Sequence, residues 1–168
     1  MKSIAQTPED TMKRTKPSRA IILSWIAVIV MAGIIFWMSA KDGVTLDENS
    51  GIISLVKAWL ASAAQGLFGH PVDVSPIGHF TEYLIFGGLL ANALRWHMPL
   101  RRAAVLAIVI ASAYGVTDEM HQIFVPMRSC DPMDWAVDTA AGAVGALIAY
   151  AILRSQNASR KEAENAPR

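Results

Sequence analysis

Long apolar stretches separated by short polar connections dominate this chain. Residues 20–38, AIILSWIAVIVMAGIIFWM, contain no charge over 19 positions. As a helix they span about 28 Å, close to the hydrocarbon thickness of a bilayer. Strands seldom run this long. The run is also too long for a secretory signal peptide, and the exit at Ser39-Ala40-Lys41-Asp42 is a poor cleavage site. An uncleaved helix is therefore expected. A second stretch, 77–94, holds His79 and Glu82 near its start; a third covers 100–117; a fourth, about 134–153, carries Asp134 and Asp138 in its first turns. Beyond them, Ala140, Ala141, Gly142, Ala143, Gly145, Ala146 and Ala149 form a small-residue surface that lets a neighbouring helix approach closely. The pattern predicts an all-α polytopic membrane protein with four transmembrane helices.

The connection 40–76 is more mixed. Ile52, Ile53, Leu55, Val56, Trp59, Leu60, Leu67 and Phe68 are interrupted by Ser54, Lys57, Ser62 and Gln65. That is too polar for a fifth crossing and predicts an interfacial or re-entrant external helix over 52–68, with Trp59 near the head groups. Asp47, Asn49 or Ser50 would cap it, and Gly66 and Gly69 would help end it. The tails, 1–19 and 154–168, are polar, with disorder the default for 155–168.

Composition agrees with this picture. Of 168 residues, 53% are hydrophobic and 17% charged, below the quarter or so usual in soluble domains. Cys130 is the single cysteine, which excludes a disulfide scaffold, and 15 scattered basic residues against 14 acidic ones give no cationic face for nucleic acid. Charge placement adds orientation. With four crossings, 12 of the 15 basic residues fall on the side of the two termini, among them Arg95, Arg101 and Arg102 between the second and third helices. Ten of the 14 acids fall on the opposite side. Three or five crossings spoil this separation, so both termini are expected in the cytoplasm.

The same topology gathers the unusual polar residues at one depth. His79, Glu82 and Tyr83 share a face at the outer start of helix two, since they are three and four positions apart. Asp118, Glu119, His121 and Gln122 follow the outer end of helix three, Arg128 and Asp131 lie in the next connection, and Asp134 and Asp138 enter helix four. Like charges on one face near hydrocarbon need a cation, a proton or water. Arg128 is the nearest basic candidate and suits a phosphate or carboxylate. Histidines and carboxylates are acceptable cation ligands, but no His-x-x-x-His or Cys-rich spacing occurs, so no metal and no cofactor is expected. His70 and His97 read as peripheral.

Two segments then resemble a known family. Gly78-His79-Phe80-Thr81-Glu82-Tyr83 resembles the first signature of the VanZ-like family. The run from Tyr114 through Asp118-Glu119-Met120-His121-Gln122, then Pro126, Arg128, Asp131, Asp134 and Asp138 with Gly142 and Gly145, resembles the second. Ser39 resembles the serine-containing segment that follows the first helix in this family. The resemblance covers about 20–155 and implies a small multipass protein of the bacterial inner membrane. Its motif residues map onto His79, Glu82, Tyr83, Asp118, Glu119, His121, Gln122, Arg128, Asp134 and Asp138. The family is named for a protein linked with low-level teicoplanin resistance, so glycopeptide resistance is one implied association. The expected partners are membrane lipids, with a lipid-linked cell-wall intermediate as one ligand bound at the outer leaflet. Two alternatives stand beside it. One is hydrolysis or transfer at a lipid phosphate, with His121, Glu119 and Asp118 as catalytic candidates; the other is a structural or proton-coupled transport module. The oligomeric state is unreadable at this level.

Overall fold

The structure, a computed structural model, describes residues 19–40, 75–126 and 130–165, with a few positions between 59 and 70. Four helices account for nearly all of it: α1 (Arg19–Ser39), α2 (Ser75–Leu94), α3 (Leu100–Gln122) and α4 (Pro132–Asn165). Among the described residues there is no strand. The first two helices match the apolar stretches closely. The other two exceed them. Asp118–Gln122 belong to α3 itself rather than to the connection after it, and α4 continues as a helix to Asn165, through residues for which disorder was the default. The external helix expected over 52–68 lies largely outside the described residues.

Three helices are long and apolar enough to cross a membrane: Arg19–Ser39, Leu100–Gln122 and Pro132–Arg160. Helix α2 is not among them, because His79, Glu82 and Asn92 lower its apolar character. Its position explains how it tolerates them. α2 packs against α4, α3 and α1, most extensively against α4. Polar residues turned toward protein need no lipophilic surroundings, while the free side of α2 keeps Ile77, Phe80 and Ile85 exposed. The outer faces of the others carry exposed apolar side chains, including Leu23, Ile29, Phe36, Val105, Val109, Leu147 and Ile152. Exposed apolar side chains along these helix faces suit a hydrocarbon solvent.

Short, specific connections set the antiparallel order. The turn from Leu94 to Leu100 is closed by His97 N–H donating to Leu94 O at 2.9 Å, and Pro99 O accepts the Ala103 N–H at 3.0 Å to start α3. At α4, the Asp131 carboxylate accepts the Met133 N–H at 2.8 Å, while its carbonyl accepts from Asp134 at 3.0 Å. Asp131 is thus the N-cap, and Pro132 occupies the first helical position, where a missing N–H costs nothing.

Small residues form the seam between α2 and α4. A Cβ on Gly87 would overlap the Gly142 carbonyl, and one on Gly145 would overlap the Leu84 carbonyl. Backbone meets backbone here, the close approach that small-residue faces allow. Toward α3, a Cβ on Gly142 would come within 2.8 Å of Ala111 Cβ. The stripe of small residues expected on the fourth helix is therefore a packing surface against two neighbours, with Ala141 and Ala146 fully buried.

Candidate functional site

Each inner helix carries its polar residue on the continuation of its own packed stripe. On α3 the buried positions are Ala103, Ala104, Ala107, Ala111, Gly115, Asp118, Glu119 and Gln122. The i, i+3/i+4 spacing that packs alanine in the middle of the bundle therefore delivers Asp118 and Gln122 to its interior at one end. On α2, His79 stands one turn before buried Tyr83, which precedes Phe86 and Leu90. On α4, Asp138 stands one turn before Gly142, ahead of Ala146 and Leu153. The antiparallel order puts these ends together.

The result is a cluster of His79, Asp118 and Asp138, whose ligand-type atoms all lie within 4.8 Å of one another. Asp138 is fully buried and Asp118 is 3% exposed. His79 Nδ1 is 3.7 Å from Asp138 Oδ1, beyond the roughly 3.2 Å limit of an N–H···O bond. Both oxygens of Asp138, Oδ2 of Asp118, the Tyr83 hydroxyl, Gln122 Nε2 and Ser39 Oγ are buried without a hydrogen-bond partner among the described residues. Ser39 and Gln122 lie beside the Asp118 carboxylate. So many orphaned polar atoms in one place are uncommon, because each forfeits its bonds to water.

The surrounding scaffold holds this end rigidly. Gly115 lets α4 close on α3, since a Cβ there would sit 3.2 Å from Trp135 Cδ1 and 3.5 Å from Asp138 Cβ. Trp135 donates from its indole N–H to Ser112 O at 3.2 Å, and the Ser112 and Thr139 hydroxyls lie 2.9 Å apart. Tyr114 ties α3 to α1 by donating to Ala32 O at 2.7 Å.

The other expected site residues are distributed around the cluster. Glu119 is buried but faces the connection into α4, where Oε2 accepts the Asp131 N–H at 2.7 Å. Asp134, half-buried, lies near Glu119. The His121 ring packs against Phe36 of α1, with centroids 4.5 Å apart. Glu82 is half-buried on α2. Arg128 lies outside the described residues. Cys130 is exposed just before α4; partial desolvation, then the nearby Glu119 and Asp131 carboxylates, push its thiol above its ordinary range. His70 and His97 are exposed. His97 accepts the Trp25 indole N–H at 3.0 Å at the opposite end of the bundle.

Sequence reasoning undervalued Ser39, the last residue of α1, buried to 3% exposure beside Asp118. Its signal was the buried stripe Val28, Met31, Ile35 and Ser39, spaced three, four and four. Local spacing also spoke against a metal, but it has no bearing on His79, Asp118 and Asp138. These residues come from three helices and could hold a cation together. Imidazole with two carboxylates is also a donor set for acid–base chemistry or for receiving polar ligand groups.

The family model described as VanZ/LLP1 matches residues 24–154. No curated protein and no solved structure matches the chain.

Proposed function

The chain belongs to the VanZ/LLP1 family, and from that membership and the polar cluster we propose a module of the bacterial cytoplasmic membrane that binds or processes an anionic, lipid-linked envelope component at the outer leaflet. In this reading all four helices cross, with α2 shielded by its neighbours. The predominance of Lys and Arg on the side of the termini then sets the cluster outside. The observation that carries the reading is the convergence of His79, Asp118 and Asp138, with Tyr83, Gln122 and Ser39, at a single end of the bundle. A site at that depth is reached from the leaflet by a head group whose lipid tail stays in hydrocarbon. Below it, Phe86, Leu90, Ala107, Ala111 and Ala146 are buried and apolar, which favours a one-sided site over a transport path.

A polyprenyl phosphate in nanodiscs tests this. Purified protein is expected to bind it at least tenfold more tightly than a neutral polyprenol, and Arg128→Ala to abolish the preference. Equal binding of both lipids by the unaltered protein refutes the proposal. If the ligand is a cell-wall intermediate, loss of the protein shifts teicoplanin susceptibility; an unchanged susceptibility removes the resistance association alone.

One observation favours a second reading, hydrolysis or transfer at the lipid phosphate. His79 lies 3.7 Å from Asp138, so a small approach on substrate binding would let the carboxylate orient the imidazole as a general base. His79 is therefore the candidate base in this reading, ahead of His121, whose ring is engaged with Phe36. Release of phosphate by pure protein, lost in His79→Ala, supports it, and no turnover of any lipid phosphate refutes it.

A further inference from the structure

We propose that His79, Asp118 and Asp138 bind a divalent metal ion of the Mn2+ or Zn2+ type at the end of the bundle where the polar residues converge. The inference rests on the anion-binding reading above and deepens it, because two carboxylates alone repel the anion that the site is proposed to receive.

Geometry is the first support. Ligand atoms each about 2.1 Å from one ion, at angles of about 90–125°, are about 3.0–3.7 Å apart. His79 Nδ1 and Asp138 Oδ1 are 3.7 Å apart. This is too long for a direct hydrogen bond and suited to sharing an ion. All three ligand atoms meet within 4.8 Å, so a small inward adjustment completes the set.

The second support is independent of the clustering. Asp138 is fully buried, and neither of its oxygens has a hydrogen-bond partner among the described residues; the Asp118 carboxylate, 3% exposed, has only Ser39 and Gln122 beside it as donors. An ionised carboxylate in such surroundings is strongly disfavoured unless it is paired or bound to a metal. One divalent ion cancels the formal charge of both carboxylates and leaves the imidazole neutral, the state in which it ligates. One nitrogen and two oxygens suit Mn2+ or Zn2+ better than Ca2+, which takes six to eight oxygens. Three protein ligands leave coordination positions open, and a phosphate oxygen can fill one. Gly115 contributes space beside the site, since a Cβ there would crowd the Trp135 ring at 3.2 Å and already touch Asp138 Cβ at 3.5 Å.

The full chain is placed in phosphatidylcholine nanodiscs, stripped with EDTA and titrated with Mn2+, with free ion followed by electron paramagnetic resonance. Expected are one bound Mn2+ per chain, displacement by Zn2+, and imidazole-nitrogen modulation of the bound signal. That last signature needs no variant and so does not depend on any substitution folding. Asp138→Asn, Asp118→Asn and His79→Gln should each weaken binding tenfold or more, whereas Asp131→Asn, at the exposed helix cap, should not. Excess Zn2+ should raise the melting temperature of the unaltered protein and leave that of Asp138→Asn unmoved. No retained Mn2+, no nitrogen modulation, or wild-type affinity in all three ligand variants overturns the proposal. If Mn2+ binds as described but polyprenyl phosphate does not bind the loaded protein, the metal site stands and the lipid reading falls.

Discussion

Replacing Gly145 with alanine should destabilise this bundle, whereas the same change at Gly33 should not. In a helix interior, glycine to alanine ordinarily stabilises by about 0.5–1 kcal/mol by removing backbone freedom from the unfolded chain. That contribution is common to every helical glycine, so it cancels in a comparison between positions. Gly33 on α1 has nothing within 4 Å of the methyl that alanine would add, and Gly88 on α2 has only the Gly145 carbonyl, its oxygen at 3.4 Å, an ordinary contact. At Gly145 the methyl would overlap the Leu84 carbonyl oxygen, with Leu84 C at 2.8 Å and Gly88 N at 3.1 Å. These are backbone atoms, so rotamer changes give no relief, and α2 must move off α4. Overpacking of this kind costs about 1–3 kcal/mol, which is then the expected gap between Gly145→Ala and Gly33→Ala. At about 2–4 °C per kcal/mol for a chain of this size, the melting temperatures should differ by about 2–12 °C, with Gly88→Ala near Gly33→Ala. Thermal unfolding in one detergent, followed by circular dichroism, measures all three. If Gly145→Ala melts within a degree of Gly33→Ala, the α2–α4 seam is not where the structure puts it. The 3.7 Å approach of His79 to Asp138 then loses its support as well.

Further outcomes follow from single contacts. In intact cells a membrane-impermeant maleimide should label native Cys130, the sole cysteine; labelling only after permeabilisation refutes an outward-facing cluster. Because that thiol sits above its ordinary range and the thiolate is the nucleophile, labelling should be slower than that of free cysteine at pH 7 and should accelerate as pH rises. Glu119→Gln should speed it at pH 7, and an unchanged rate would show that the carboxylate does not act on the thiol. Tyr114→Phe removes the bond to Ala32 O and should cost about 0.5–1.5 kcal/mol; a melting temperature equal to wild type would show that the α1–α3 tie contributes nothing. Asp131→Ala should cost about 1 kcal/mol by uncapping α4, while Asp131→Asn keeps the cap. Equal stability of the two would remove the capping role.

Much of the architecture is written in the order of residues. Four stretches nearly free of charge mark four helices, three of them long and apolar enough to cross a membrane. Helical spacing determines that Asp138 shares a side with Gly142, and His79 with Tyr83, so sequence alone brings the polar positions to one end. What it cannot carry is which neighbour each face meets. Asp118 and Glu119 stand as candidate site residues just past the apolar stretch 100–117, but nothing local distinguishes a solvated carboxylate from one buried by other helices; the structure carries the helix through them to Gln122 and buries both. Adjacent residues on a helix point about 100° apart, and tertiary packing alone decided that Asp118 meets His79 and Asp138 while Glu119 turns to the Asp131 amide. The same packing put His121 on Phe36, covered one side of α2 with three neighbouring helices, and drew Ser39 to the cluster from across the chain. Local order fixes directions along an axis; the relative placement of the axes is set by glycines whose missing side chains act on another helix.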